Sequence, residues 1–241
     1  MFFRFLFLVT ATFYPLRGGW QVGGLQVFTP KLTGVDVSHY QREIFWDQVV
    51  ENHCVDFAFV KATEGGNFVD SMFYRNWEAL SRHGIRRGAY HFFRSFGCGD
   101  EQANHFLSTV ELCPGDFAPV LDLETTDDLA PTVMREEALI WLKEVERALG
   151  VKPIIYSNLD FYERHLSGYF DQYPVWIARY SGSTPCLSSG KPWSFWQFSN
   201  SGSLTGISGF VDLNIFPGSE EMLNRFCLPV GLPQKVGYTV P

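Results

Sequence analysis

The chain has 241 residues, 46% hydrophobic and 19% charged, a balance that suits a globular protein and excludes a disordered one. Its net charge of −7, with no run of Lys or Arg, leaves no basic face for phosphates, so no nucleic-acid partner is expected. The length fits one large domain or two small ones, and α/β barrels often fill it as one.

The N-terminus, MFFRFLFLVTATFYPLRGG, carries one early charge, Arg4, before an apolar run from Phe5 to Tyr14. That run is too short to span a bilayer and resembles the core of a signal peptide, so residues 1–32 are read as an export segment. No small-x-small cleavage site follows. A secreted or periplasmic protein without an integral membrane span is expected.

From Gly34 the pattern alternates. GVDVS (34–38) reads as a strand and IFWDQVVENH as a helix. DFAFVKAT (56–63) is a second strand. DSMFYRNWEALSRHG is a second helix, with Asp70 as its expected N-cap and Gly84 as its C-cap. RRGAYHFFR and EQANHFLSTVEL repeat the pair, and FAPVLDLE is a fourth strand. TVMREEALIWLKEVERALG (132–150) is the clearest helix. Thr132 is its expected cap, Leu139, Leu142, Val145 and Leu149 keep helical spacing, and Gly150 ends it. KPIIYSN, PVWIARY, SFWQFS and VDLNIF follow as apolar runs with little room for full helices. Strand–helix alternation predicts a parallel sheet, and eight strands predict closure. The expected fold is therefore an irregular, single-domain α/β protein: a TIM-like β/α barrel of about eight strands with fewer helices. It should cover residues 33–226, with a polar tail at 227–241.

Five cysteines, at 54, 98, 113, 186 and 227, form no C-x-x-C pair, and the six His show no H-E-x-x-H spacing. Zinc motifs are therefore unsupported, and no metal or organic cofactor is expected. After export, Cys98–Cys113 and Cys186–Cys227 would be plausible disulfides.

The acids carry the functional signal. In APVLDLE, Asp122 and Glu124 lie two apart on a strand, so they share a face. Close, buried carboxylates perturb each other's protonation, and acid/base catalysis uses such pairs. Asp36 lies in the first strand and Asp212 in the last, which are neighbours in a closed barrel. Single acids of this kind often cap or turn the chain. Four at one barrel mouth are harder to explain structurally, because a buried charge is costly unless paired or used. No Lys or Arg sits beside them in sequence to neutralise them; Lys61, which ends the second strand, is the candidate exception. Tyr90, Phe92, Tyr156, Trp176, Tyr180 and Trp196 fall at the same strand ends. With Gln197 they are candidate sugar-binding residues, some of which could instead fill the core.

GVDVSHYQ, FAFVKATEG, FYRNWEALSRHGIRRGAYHFFR, APVLDLE, KPIIYSN, VWIARY, FWQFS and GFVDLN occur in this order. Together they resemble the glycoside hydrolase family 25 lysozymes, the Chalaropsis-type N-acetylmuramidases, over Gly34 to Phe216. The resemblance implies an irregular β/α barrel that cuts the β-1,4 bond between N-acetylmuramic acid and N-acetylglucosamine in peptidoglycan glycan strands, with retention. It puts the acid/base glutamate at Glu124, its partner aspartate at Asp122, and supporting aspartates at Asp36 and Asp212. Tyr40 stands where the family also uses Trp. On this reading Glu124 is protonated at rest and Asp122 is ionised, either as nucleophile or orienting the substrate's acetamido group. The protein is expected to act as a monomer. The rival readings are a glycosidase for chitin-like polymers and a wall-binding module that does not cut.

Overall fold

A computed structural model describes residues 32–53 and 55–230. The expected export segment up to residue 31, Cys54 and the end of the tail lie outside the described residues; Leu32, assigned to that segment, instead opens the first strand. Nine strands form one sheet: β1 (Leu32–Val37), β2 (Phe57–Glu64), β3 (Phe68–Val69), β4 (Arg86–Phe92), β5 (Val120–Asp122), β6 (Ile154–Asn158), β7 (Val175–Ala178), β8 (Phe195–Gly202) and β9 (Val211–Phe216). The helices are α1 (Trp46–Asn52), α2 (Phe73–Arg82), α3 (Gly99–Thr109), α4 (Pro131–Leu149), and two short ones, α5 (Leu159–Phe161) and α6 (Glu220–Leu223).

β1 pairs with β2 on one side and β9 on the other, which closes eight strands into a barrel; β3 is an antiparallel extension of β2. The irregular β/α barrel expected from the sequence is therefore the fold. One part of the expectation is corrected: the barrel is not wholly parallel. β9 runs antiparallel to both β1 and β8. Residues 203–210, which join β8 to β9, are too few for the crossover that a parallel pair needs.

Period-two alternation gives the barrel two apolar layers. Phe57, Phe59, Phe117, Trp176, Phe195 and Phe216 fill its interior. Phe59 stacks on Trp176 at 4.5 Å and meets Phe195 edge-on at 5.4 Å. Gly88 on β4 permits this packing, because a Cβ there would lie 2.5 Å from the Phe59 ring. Val35, Val60, Leu121, Ile155 and Ile177 point outward from the same strands, against α2, α3 and α4.

The helix ends follow the sequence in part. Gly84 (φ 65°) and Gly150 (φ 68°) take the left-handed conformation that closes a helix C-terminus. The expected caps do not hold. Thr132 lies inside α4, whose first residue is Pro131, a position that needs no N–H. Asp70 precedes α2 and accepts from Met72 N at 2.9 Å, but its other oxygen binds His39 Nδ1 at 2.6 Å.

Neither expected disulfide forms, since Cys98, Cys113, Cys186 and Cys227 are all free thiols. Cys98 and Cys113 flank the 11-residue α3, which at a rise of 1.5 Å per residue holds its ends about 16 Å apart, beyond disulfide reach. Cys186 follows β7 at the mouth end. Cys227 pairs with Phe117, which precedes β5 at the other end. That pairing, with Leu228 N donating to Asp116 O at 2.8 Å, carries the packed body past Phe226 to Leu228.

Candidate active site

The inward faces of the strands change character at the barrel mouth. Below lie Phe57, Phe59 and Val120; above them, on the same faces, lie Lys61, Tyr90 and Asp122. A cleft of about 280 Å³ opens there, and all four predicted acids, Asp36, Asp122, Glu124 and Asp212, line it.

Asp36 and Asp212 stand directly opposite in the β1–β9 ladder. Asp36 Oδ1 accepts from Asn214 Nδ2 at 2.7 Å and Gln197 Nε2 at 2.9 Å. No cation binds it. Burial, then the Asp212 charge, holds the Asp36 carboxyl well above the usual range. Burial raises Asp212 too.

Asp122 ends β5 and is 6% exposed. Leu123 still donates to Tyr156 O at 2.9 Å, so the chain stays paired beyond the strand, and its side chain enters the outer core. The next side chain, Glu124, thus returns to the cleft with Asp122. Burial raises both carboxyls. At Asp122, held well above its usual range, the charge of Glu124 adds to burial; at half-buried Glu124 the charge of Asp212 does. Burial thus favours the protonated form of both groups and opposes the ionised Asp122 that the sequence reading expects. Lys61 is the cation that counters this. Asp122 Oδ1 is buried without a hydrogen-bond partner among the described residues.

The expected sugar-binding residues divide. Tyr90, Phe92, Tyr156 and Trp176 line the cleft. Trp176 is also core: it is 2% exposed, packs edge-on to Tyr156 at 4.5 Å and donates to Asn214 Oδ1 at 2.9 Å. Gln197 lies behind the lining and accepts from the hydroxyls of Tyr156 (2.9 Å) and Tyr180 (2.6 Å). Tyr180 is half exposed and joins the site through that bond. Trp196 is not brought to the cleft. It alternates with Gln197 on β8, so it faces outward, packs near Trp193 and donates to Arg179 O at 2.9 Å.

The chain is similar to known proteins over most of the barrel. A model described as "Glycosyl hydrolases family 25" matches residues 35–207. The chain belongs to this family. This family 25 glycoside hydrolase is 44% identical over 197 residues to the uncharacterized protein YegX of Escherichia coli K12, covering 80% of this chain and 72% of that one. Lysozyme M1 of Streptomyces globisporus is 34% identical over 213 residues, covering 81% and 71%. A family 25 glycosyl hydrolase structure from Bacillus anthracis superposes with a TM-score of 0.78 at 31% identity, covering 87% of this chain and all 100% of that one.

Three charged residues of this hydrolase's cleft were not chosen from sequence: Glu64, Arg94 and, flagged only as an offsetting charge, Lys61. Lys61 Nζ donates to Glu64 Oε2 at 2.6 Å, and Arg94 Nη2 to Glu64 Oε1 at 2.6 Å. A lysine closing an otherwise apolar strand was the available signal. Ser38, Tyr40 and Gln41 complete one rim. Among the described residues, no group of three or more His, Cys, Asp or Glu is arranged to hold a metal, and no helix is long and apolar enough to cross a membrane.

Proposed function

We propose that this glycoside hydrolase is a lysozyme, a 1,4-β-N-acetylmuramidase that cuts peptidoglycan glycan strands with retention, assisted by the substrate's own acetamido group. The observation that carries the reading is the pair Asp122 and Glu124 on one wall of the cleft, both raised by burial, with Asp122 Oδ1 lacking a donor. Relatives named as lysozymes support the substrate class.

Glu124, kept protonated by burial, donates its proton to the glycosidic oxygen as the bond to the anomeric carbon breaks. Direct attack by Asp122 would need the two carboxyls on opposite sides of the bond, about 5–5.5 Å apart. Residues two apart on one chain segment flank one side. The acetamido carbonyl oxygen is instead the nucleophile, and an oxazolinium ion forms. Asp122 Oδ1 accepts from the acetamido N–H and stabilises the positive charge. Water then attacks the anomeric carbon, Glu124 takes its proton, and the ring opens back to the acetamide. Asp36 orients groups at the floor through Gln197 and Asn214, and Asp212 faces it across the ladder. Tyr90, Phe92 and Tyr156 offer ring faces to the sugars.

The barrel would act as a monomeric catalytic domain over about 33–226, in a secreted or periplasmic setting reached through the N-terminal segment. Digestion of purified peptidoglycan, borohydride reduction and mass spectrometry test the reading. Muramitol at the new ends is expected. Glucosaminitol would make the protein a glucosaminidase, and binding without new ends would make it a wall-binding module.

A further inference from the structure

Lys61 and Glu64 are three residues apart on β2, a spacing that puts two side chains on opposite faces of a regular strand. Here both face the cleft. The reason is an irregularity in the β2–β4 ladder. Lys61 pairs with Tyr90 and Thr63 pairs with His91, so Ala62 is left over as a bulge. Thr63 is thereby turned outward, where its Oγ1 meets His91 Nδ1 at 2.7 Å in the outer layer. Glu64 is turned inward opposite Phe92. Bulges re-aim side chains in this way beside active sites.

The result is a held ammonium group. Lys61 is 6% exposed and is clamped by Glu64 at 2.6 Å, between the rings of Phe92 (4.9 Å) and Phe68 (5.6 Å). Glu64 is fixed in turn by Arg94, whose Nη1 binds Asp127 Oδ1 at 3.0 Å. Asp127 also accepts from Ser95 N at 2.7 Å, and it lies three residues after Glu124. The network thus ties β2 to the segment that carries Glu124.

We propose that Lys61 is a positioning residue for the hydrolysis: its ammonium group, fixed by the Ala62 bulge and the Glu64–Arg94–Asp127 relay, lets Asp122 ionise while Glu124 keeps its proton. The proposal rests on the lysozyme reading above. The titratable and charged groups facing this pair are Asp36 from β1, Lys61 and Glu64 from β2, Tyr90 and Arg94 from β4 and beyond, Tyr156 from β6, Tyr180 after β7 and Asp212 from β9. Acids outnumber cations, and Arg94 is shared between Glu64 and Asp127. At Asp122 the Lys61 charge is what opposes burial and the Glu124 charge, whereas at Glu124 a hydrogen bond from Tyr156 opposes burial more than the Lys61 charge does.

The test is carboxyl 13C NMR titration of ligand-free wild type, Lys61→Met and Lys61→Arg, read beside the pH profile on peptidoglycan. In Lys61→Met the Asp122 resonance should titrate at higher pH, and the acid limb of kcat/KM should move up by about one pH unit. Lys61→Arg, which keeps the charge, should leave both near wild type. A Met variant whose Asp122 titration and acid limb stay at their wild-type positions, with only lower turnover, would overturn the proposal. So would an Arg variant that shifts as the Met variant does. The NMR arm reads the charge effect without substrate. A wild-type protein that fails to cut peptidoglycan but shows the expected titration shift would therefore refute the lysozyme reading and not the charge relation.

Discussion

Asp36 and Asp212 face each other across the β1–β9 ladder, and two amide side chains, not a cation, hold the Asp36 carboxyl. Two acids so placed cannot both ionise freely. Each binds its proton more tightly folded than unfolded, so stability falls as pH rises from the unfolded-state value through the raised folded-state value. Replacing one of them with its amide removes that penalty. Asp212→Asn should therefore unfold at higher denaturant concentration than wild type at pH 7, by about 0.5–2 kcal/mol, and the gain should vanish at pH 3. Its turnover should fall, but less than that of Glu124→Gln. Denaturant melts at the two pH values check the first point, and initial rates check the second.

Asp122→Asn tests the orphaned oxygen. The amide can still offer an oxygen to an acetamido N–H, but it cannot balance an oxazolinium charge. Turnover should drop by about 10²–10³. Removing the N-acetyl group from the muramic acid should slow wild type by far more than it weakens binding, and a thiazoline analogue of the oxazoline should inhibit. A sugar ester trapped on Asp122 would make that residue the nucleophile.

His91 gives a pH dependence of the opposite sign. It is fully buried behind the cleft, hydrogen-bonded to Thr63 and Gln102 and stacked on Trp141 at 5.6 Å. Burial lowers its pKa from 6.5 to about 3. Between those values the unfolded chain takes up a proton that the folded protein refuses, so stability is lost as pH falls below 6.5. The loss is about 1.4 kcal/mol per pH unit in that window. The difference in unfolding free energy between wild type and His91→Gln should be steady above pH 6.5 and narrow by that amount per unit from there to pH 4.

Gly88→Ala should destabilise the barrel without touching the chemistry. Its Cβ would press on the Phe59 ring at 2.5 Å and on Phe117 Cβ at 3.0 Å. Overpacking of this kind costs about 1–3 kcal/mol. Thermal melts should show the loss, while kcat at a temperature well below the transition stays near wild type.

The alternation of strands and helices was legible because each strand buries one face in the barrel and the other under helices. Asp36, Asp122, Glu124 and Asp212 were legible because each interrupts an apolar run. The direction of β9 was hidden in a run, VDLNIF, that reads the same either way; only the short 203–210 connection signals it. Trp196 was assigned to the cleft by strand position alone, although period two puts it opposite Gln197. The bulge at Ala62 has no residue signature, so the inward turn of Glu64 could not be read. The cysteine pairings failed because spacing along the chain says nothing about which end of a barrel each residue occupies.

Glu124→Gln tests the account most directly, with turnover and binding measured on the same insoluble peptidoglycan. The amide fills the same space and keeps a polar tip, but it has no proton to donate. The account predicts retained sedimentation with the wall and a loss of at least about 10²–10⁴ in the release of reducing ends. Near-normal release by that variant would contradict the account and move the acid to another residue.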